Sequence, residues 1–253
     1  MALANDPVLY ERRGVAAVLT INRPEARNAV NGAVAAALLD GYRRFEDDAD
    51  AKVLVLTGAG DEAFCAGADL KAIDTVRDRH EGPLGFTRLT ATKPTIAAVS
   101  GWCVAGGLEL ALWCDLRIAA EGSTFGCFER RFGVPLIDGG TQRLPRIVGL
   151  GRALEIMMTG RPVPVDEAYR IGLVNEVVPR GQHLVRALAL AETLARFPWP
   201  TLLADRAAAL AGSGLPLEHG LAIEARLGRA VLEEAKRGAA RFAGGEGRKG
   251  AGA

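Results

Sequence analysis

Short apolar runs alternate with helical stretches over about the first 150 residues, and this alternation constrains the fold more than any other feature of the sequence. Four runs have the length and apolar content of buried strands, at residues 15–21, 52–57, 95–99 and 116–119. The stretches between them predict helices at residues 31–45, 82–90 and 106–114. Strands separated by helices imply crossover connections and a largely parallel, buried sheet.

The pattern changes after about residue 150, where helical stretches follow one another with little strand between them. The predicted helices cover residues 152–158, 166–171, 183–197, 201–210 and 217–236, and one further strand is predicted at 174–178. We therefore predict an α/β core over residues 1–180 and a helical C-terminal region over 181–253 that serves oligomerisation and pocket closure, with a flexible tail at 244–253. Helices with little sheet to cover need another apolar surface, which a partner subunit can provide.

Composition excludes several classes of protein. The chain has 31 Lys plus Arg against 30 Asp plus Glu, a balance that argues against a nucleic-acid-binding protein. No run of 18 apolar residues predicts a membrane-spanning helix. Residues 1–6 lack the basic start and apolar stretch of a secretion signal, so we expect a cytoplasmic protein. The four cysteines form no CxxC pair, and we expect them to be reduced and buried.

Several common catalytic and binding motifs are missing from the sequence. The histidines, His80, His183 and His219, are too scattered for a zinc site, and we interpret each as a surface or hydrogen-bonded side chain rather than a ligand. No metal site is expected. Residues 58–63 fit the weak dinucleotide pattern G-x-G-x-x-A, but Asp61 and Glu62 would face the pyrophosphate. A plain turn is the better interpretation of that segment.

Two glycine-bearing turns that follow strands suggest a site for a developing negative charge. The first lies in residues 64–71 (FCAGADLK) and the second in residues 99–111 (VSGWCVAGGLELA). Gly106 and Gly107 lead into an apolar helix, whose first N–H groups are unpaired and favour negative charge. An N–H group from the other turn would complete an oxyanion hole. Two ordinary capping turns are the alternative, and Glu109 in the first helical turn would then only stabilise the helix.

A third segment gives these turns a context. Residues 125–129 (FGCFE) precede residues 133–144 (GVPLIDGGTQRL), and the three segments in this order and spacing resemble the crotonase (enoyl-CoA hydratase/isomerase) superfamily. The resemblance extends to residues 22–29 (NRPEARNA) and to the shorter matches at 158–160, 167–168 and 172–174. Together these segments cover about residues 15–179.

The resemblance implies a fold, a substrate class and a set of site residues. It implies a ββα spiral core, assembly as a homotrimer or a dimer of trimers, and an acyl-CoA thioester as substrate with no separate cofactor. The oxyanion hole would be formed by the backbone of Ala68 and Gly106, and the catalytic carboxylates would be Glu109 and Glu129. The positions that correspond to the family's coenzyme A contacts are Ala26, Arg27, Ala66, Asp69, Leu70, Lys71 and Gly107.

The chain departs from the family pattern in the loop after Glu129. Hydratases usually have Gly-x-x-Pro-Gly-x-Gly-Gly there, whereas this chain displaces the proline and places Ile137 at the glycine beside the catalytic water. The adjacent Asp138 is either an additional acid or the cap of the helix that begins near Gly139 or Gly140. Glu129 itself is either catalytic or paired with Arg130 or Arg131.

Three functional hypotheses follow from these observations. The first is an enoyl-CoA hydratase that acts on a trans-2-enoyl thioester, and the second is an isomerase that uses a single carboxylate. The third is an acyl-CoA-binding protein without turnover, which the presence of both glutamates disfavours. Apolar side chains that either line an acyl pocket or belong to the core are Phe86, Trp102, Phe128, Phe132 and Leu136.

Overall fold

The structure is a computed structural model in which residues 6–245 are described. Six strands of the described chain form one sheet in the order β1-β2-β3-β5-β7-β10. These strands are β1 (Val8–Arg13), β2 (Ala16–Ile21), β3 (Val53–Gly58), β5 (Thr95–Val99), β7 (Leu116–Ala120) and β10 (Glu176–Val178). Only the β1–β2 pair is antiparallel. The parallel, buried sheet predicted from the apolar runs is therefore confirmed.

A second sheet contains shorter strands that follow the strands of the first. It has the order β4-β6-β8-β9, with β4 (Ala63–Cys65), β6 (Trp102–Val104), β8 (Thr124–Gly126) and β9 (Val163–Pro164). Successive strands alternate between the sheets, since β3, β5 and β7 lie in the first and β4, β6 and β8 in the second. This repeated pairing, followed by helical segments, is the ββα arrangement expected from the resemblance.

The helices complete the described chain. They are α1 (Gly32–Asp47), α2 (Gly106–Trp113), α3 (Gly140–Val148), α4 (Leu150–Thr159), α5 (Val165–Arg170), α6 (His183–Arg196), α7 (Trp199–Gly212), α8 (Leu217–Ala230) and α9 (Leu232–Ala243). Asn31 caps α1, because its side-chain oxygen accepts the Val34 N–H. Every residue of α2 is buried, which explains its uniformly apolar sequence apart from Glu109.

Two helix predictions were wrong. Residues 82–90 form turns rather than a helix, because Pro83 lies between Gly82 and Gly85, whose φ angles are +113° and +111°. The single helix predicted over 217–236 is interrupted at Val231, whose φ and ψ of −115° and 12° separate α8 from α9. The edge strand β1 and the short strands of the second sheet were not predicted from the sequence.

The chain divides into two compact units, Met1–Ala191 and Glu192–Ala253. The first contains both sheets, and the second contains α7, α8 and α9. The division falls within α6, eleven residues beyond the start predicted for the C-terminal region. Of the tail predicted to be flexible, residues 246–253 lie outside the described residues. The oligomerisation and pocket-closure roles assigned to the C-terminal region stay predictions.

The four cysteines, Cys65, Cys103, Cys114 and Cys127, are buried free thiols, as predicted. Burial raises the pKa of the Cys65 thiol to about 12, so that side chain is a packing group rather than a nucleophile. No helix in the described part of the chain combines the length and the apolar character needed to cross a bilayer.

Candidate active site

A cavity of about 430 Å³ lies where the three segments singled out in the sequence come together. Its lining is mostly apolar and consists of Ala68, Ile73, Val76, Asp78, Pro83, Leu84, Gly106, Glu109, Gly133, Val134, Pro135, Ile137 and Asp138. The first turn, the start of α2 and the loop after Glu129 each contribute to it. A mostly apolar cavity with a few polar groups is typical of a small-molecule site.

Two backbone N–H groups border this cavity. In the described part of the chain, neither the Ala68 N–H nor the Gly106 N–H has a protein acceptor. The two turns approach closely, because a Cβ placed on Gly106 would lie 3.6 Å from the Ala68 nitrogen. One placed on Gly67 would lie 2.7 Å from the Gly106 nitrogen, so larger side chains are excluded from this part of the turn. The predicted pair of donors is therefore brought together.

The backbone before α2 is strained. Ala105 has φ 53° and ψ −131°, a combination that residues with a Cβ rarely adopt. Its N–H donates to the carbonyl of Gly126 (2.9 Å), and its own carbonyl accepts the Glu109 N–H (3.2 Å). These bonds hold the turn so that α2 begins with Gly106 at the cavity.

Glu109 is 3% exposed and has a carboxylate held by backbone donors. Its Oε1 accepts the N–H of Asp138 (2.9 Å) and the N–H of Gly140 (2.8 Å). Burial raises the pKa of Glu109 to about 7. The negative charges of Asp138 and Glu129 also raise this pKa, whereas the two hydrogen bonds lower it. A carboxyl group with such a pKa is suited to proton transfer near neutral pH.

Glu129 is also buried, in the short 3₁₀ helix Phe128–Phe132. Neither of its carboxylate oxygens has a hydrogen-bond partner in the described chain, and burial raises the pKa of this group. The alternative of an ion pair is wrong, because Arg130 donates to the Met157 carbonyl and Arg131 to the Gly160 carbonyl. An unpaired buried carboxyl group costs stability, so its position requires a reason other than folding.

Asp138 does not cap a helix, so that interpretation was wrong. Gly139 is the N-cap of α3, which has no side-chain cap. The carboxylate of Asp138 instead accepts the Leu84 N–H (3.0 Å) and the Thr87 hydroxyl. Ile137, by contrast, has its side chain half-exposed at the cavity lining.

The segment predicted to contact coenzyme A is locked against the first turn. Arg27 and Asn28 both have positive φ angles, 50° and 56°. The Arg27 carbonyl accepts the Ala66 N–H (3.0 Å), and the buried Asn28 amide donates to the carbonyls of Ala59 and Ala63. The Arg23 guanidinium contacts the Asp69 carboxylate at 3.0 Å. Asn28 and Arg23 therefore shape this segment.

The remaining predicted contacts have mixed positions. Ala26 is partly buried at the end of a short 3₁₀ helix (Pro24–Ala26), while Leu70 and Lys71 are exposed at the start of another (Leu70–Thr75). Gly107 is buried and packs against the backbone of Cys65 rather than lining the cavity. The contact roles of these residues stay predictions.

Other side chains considered in the sequence lie away from the cavity lining. Of the five apolar candidates for an acyl pocket, none lines it: Phe86 is in the core, and the ring of Trp102 lies 5.9 Å from that of Phe128. The dinucleotide pattern leads into strand β4 rather than a helix, which confirms the plain turn. His183 contradicts the expectation for histidines, because it is buried and its Nδ1 has no partner in the described chain.

Three residues near the site were missed from the sequence: Leu84, Thr87 and Arg143. Arg143 donates to the carbonyls of Asp138 (2.9 Å) and Thr87 (2.6 Å). The bonds of Arg143 to Thr87 and of Asp138 to Leu84 and Thr87 join parts of the chain that lie more than 50 positions apart, so no local pattern indicates them.

Comparison with known proteins gives a consistent result. A family model described as enoyl-CoA hydratase/isomerase matches residues 11–249. The chain is 38% identical over 230 residues to a crotonyl-CoA hydratase of Syntrophomonas wolfei, with 88% of each chain covered. It is 41% identical over 194 residues to a short-chain-enoyl-CoA hydratase of Clostridium acetobutylicum, with 74% of each covered.

Solved structures agree with the sequence relatives. The crystal structure of the enoyl-CoA hydratase EchA1 from Mycobacterium marinum matches with a TM-score of 0.89 and 38% identity, over 94% of this chain and 96% of that one. The chain therefore belongs to the enoyl-CoA hydratase/isomerase family of the crotonase superfamily.

Proposed function

We propose that this protein is an enoyl-CoA hydratase, which adds water to the double bond of a trans-2-enoyl-CoA thioester. One observation carries the proposal: the buried carboxyl group of Glu109 lines a cavity bordered by two unpartnered N–H groups, and it interacts electrostatically with a second buried carboxyl group, that of Glu129, which lies outside the cavity lining. The hydratases that the chain matches at 38% and 41% identity support this reaction and substrate class.

The N–H groups of Ala68 and Gly106 donate hydrogen bonds to the thioester oxygen in this proposal. Addition at Cβ moves electron density onto that oxygen and forms an enolate-like state. Fixed donors stabilise this developing charge by about 2.7–4 kcal/mol each, as measured for oxyanion holes in other enzymes. The donors are already in place, so no reorganisation is needed during the reaction.

The two glutamates share the proton transfers. One carboxylate removes a proton from water as the water oxygen bonds to Cβ, and the other carboxyl group donates a proton to Cα as the enolate collapses. Each turnover thus adds one water to the substrate. The group that began as a carboxylate ends protonated, and the group that began protonated ends as a carboxylate. Repulsion between like charges and burial separate the pKa values of such a pair, so that one group is ionised while the other is neutral.

Hydration fits this site better than isomerisation by a single acid. An isomerase needs one carboxyl group to carry a proton between two carbons, and a second unpaired buried carboxyl group would then be a cost without a function. Asp138, the other candidate acid, has no proton transfer in this mechanism, and its Oδ1 accepts hydrogen bonds from Leu84 and Thr87.

The test is an assay of the purified protein with crotonyl-CoA. We expect the ultraviolet absorbance of the conjugated thioester to fall and the product to gain the mass of one water. Glu109→Gln and Glu129→Gln should each lower kcat by at least about 100-fold, in the range of 10²–10⁴ for general acid–base groups. The control is Glu121→Gln, which changes an exposed glutamate beyond strand β7.

The outcomes separate the three hypotheses. A product of unchanged mass would replace hydration with isomerisation. Binding of the thioester with no change in absorbance or mass would favour a non-catalytic binding protein. Full activity in Glu109→Gln would show that the assigned carboxylate is not used.

The proposal includes a homotrimer or dimer of trimers and a reaction without a separate cofactor. Support for self-association comes from α4, where Leu150, Leu154 and Met158 are exposed at intervals of four residues and so form an apolar stripe. Light scattering coupled to gel filtration tests the assembly. Activity that survives exhaustive dialysis and a chelator supports independence from cofactors. Cytoplasmic localisation stays a prediction.

A further inference from the structure

Asp138 has a buried carboxylate that the proposed reaction does not use. It is 3% exposed, and its Oδ1 accepts both the Leu84 N–H and the hydroxyl of Thr87. Thr87 is itself fully buried. The side chain of Asp138 is therefore directed at residues 84–87, a segment without regular secondary structure.

The backbone of Asp138 performs a second task. Its N–H donates to Oε1 of Glu109, and Gly140, two residues further on, donates to the same oxygen. The carbonyl of Asp138 accepts from Arg143, which also binds the Thr87 carbonyl. One residue thus fixes residues 84–87 through its side chain and the Glu109 carboxylate through its main chain.

The anchored segment reaches the other side of the cavity. Leu84 lies against Gly106, since a Cβ on Gly106 would come within 2.6 Å of the Leu84 Cδ1. Leu84, Gly106, Glu109 and Asp138 all line the cavity. The hydrogen bonds of Asp138 therefore connect the wall beside one proposed oxyanion donor with the proposed proton-transfer group.

We infer that Asp138 is a positioning residue: its side chain anchors residues 84–87 so that the loop holding Glu109 and the wall packed on Gly106 keep a fixed separation. In this role the Oδ1 of Asp138 acts as a hydrogen-bond acceptor, and Asp138→Asn distinguishes that role from proton transfer. Its effect on turnover rests on the proposed hydratase function, whereas its effect on the loop does not.

Three variants test this role. Asp138→Asn keeps an Oδ1 that accepts the same two bonds, whereas Asp138→Ala removes both. Thr87→Val removes one bond with little change of shape. The matched controls are Asp40→Asn and Asp40→Ala on the exposed face of α1. For each we would measure kcat and KM with crotonyl-CoA and the hydrogen exchange of residues 136–142.

We expect kcat to fall by about 10- to 100-fold in Asp138→Ala, since a displacement of about 1 Å at a reacting group can cost 100-fold. KM should change little, because the residues predicted to contact coenzyme A are other than Asp138 and residues 84–87. Asp138→Asn should restore kcat to within a few-fold of wild type, and Thr87→Val should fall between them. Amide exchange in residues 136–142 should accelerate in Asp138→Ala and Thr87→Val but not in Asp138→Asn.

Two results would overturn the inference. If Asp138→Asn is as inactive as Glu109→Gln, Asp138 is a proton-transfer group. If Thr87→Val and Asp138→Ala both keep wild-type kcat and wild-type hydrogen exchange, Asp138 has no positioning role. If Asp138→Ala does not fold, Thr87→Val and Asp138→Asn still decide between these outcomes. If wild type does not hydrate crotonyl-CoA, the proposed function fails, but the exchange measurements still test the anchor.

Discussion

Replacing Glu109 with glutamine should make the protein more stable at alkaline pH while lowering kcat by at least about 100-fold. Glutamine has nearly the same shape and keeps an Oε1 that accepts the N–H groups of Asp138 and Gly140. It removes only the ability to carry a negative charge. The variant therefore isolates the energetic cost of a buried carboxylate.

The size of the effect follows from the pKa. Burial raises the pKa of Glu109 from 4.5 to about 7, and one pKa unit corresponds to about 1.4 kcal/mol. Because the folded-state pKa is the higher one, the group contributes most to stability below pH 4.5. That contribution is lost as the pH rises through 7. At pH 8 the charged side chain therefore costs up to about 3 kcal/mol relative to the neutral amide.

Thermal unfolding at several pH values measures this cost. For a chain of this size about 1 kcal/mol shifts the midpoint by roughly 2–4 °C, so we expect Glu109→Gln to melt up to roughly 6–12 °C above wild type at pH 8. The difference should shrink steadily towards pH 5. Glu121→Gln should show no such dependence. A difference that is constant with pH, or that favours wild type at pH 8, would refute the argument.

Three further predictions concern the same region. Gly140→Ala should lower kcat by about 10- to 100-fold, because the new Cβ would lie 3.0 Å from Oε1 of Glu109; wild-type kcat would contradict this. Ala105→Gly should raise the free energy of unfolding by up to about 1 kcal/mol at unchanged kcat, since it relieves the strain at φ 53°; a lower melting temperature would contradict it. The pH profile of kcat/KM should be bell-shaped with one limb near 7 that disappears in Glu109→Gln, and a profile without that limb would exclude the assignment.

The inner strands β2, β3, β5 and β7 were predictable because they are short, mostly apolar runs, and a buried strand has few other possible positions. The second sheet was not, since strands of two or three residues such as β9 carry too little pattern to be distinguished from loops. The segment at 82–90 contains enough apolar residues to suggest a helix. The positive φ angles of its glycines exclude a helix there, but these angles are known only from the structure.

The candidate site was predictable to the extent that each group lies within a short motif. Glu109 follows its glycine turn directly, and Glu129 precedes the loop with Gly139 and Gly140. The role of Asp138 was not predictable, because its partners Leu84 and Thr87 lie 54 and 51 positions away. A carboxylate next to a helix start resembles a cap in sequence, and only its contacts show otherwise.

The most direct test of the proposed mechanism is a crystal structure with a non-reacting acyl-CoA analogue bound. We expect the thioester oxygen to lie about 2.7–3.1 Å from both the Ala68 and the Gly106 nitrogens, with the carboxyl groups of Glu109 and Glu129 facing Cα and Cβ. A thioester oxygen bound away from these two nitrogens, or a Glu129 carboxyl group remote from both carbons, would contradict the proposed mechanism.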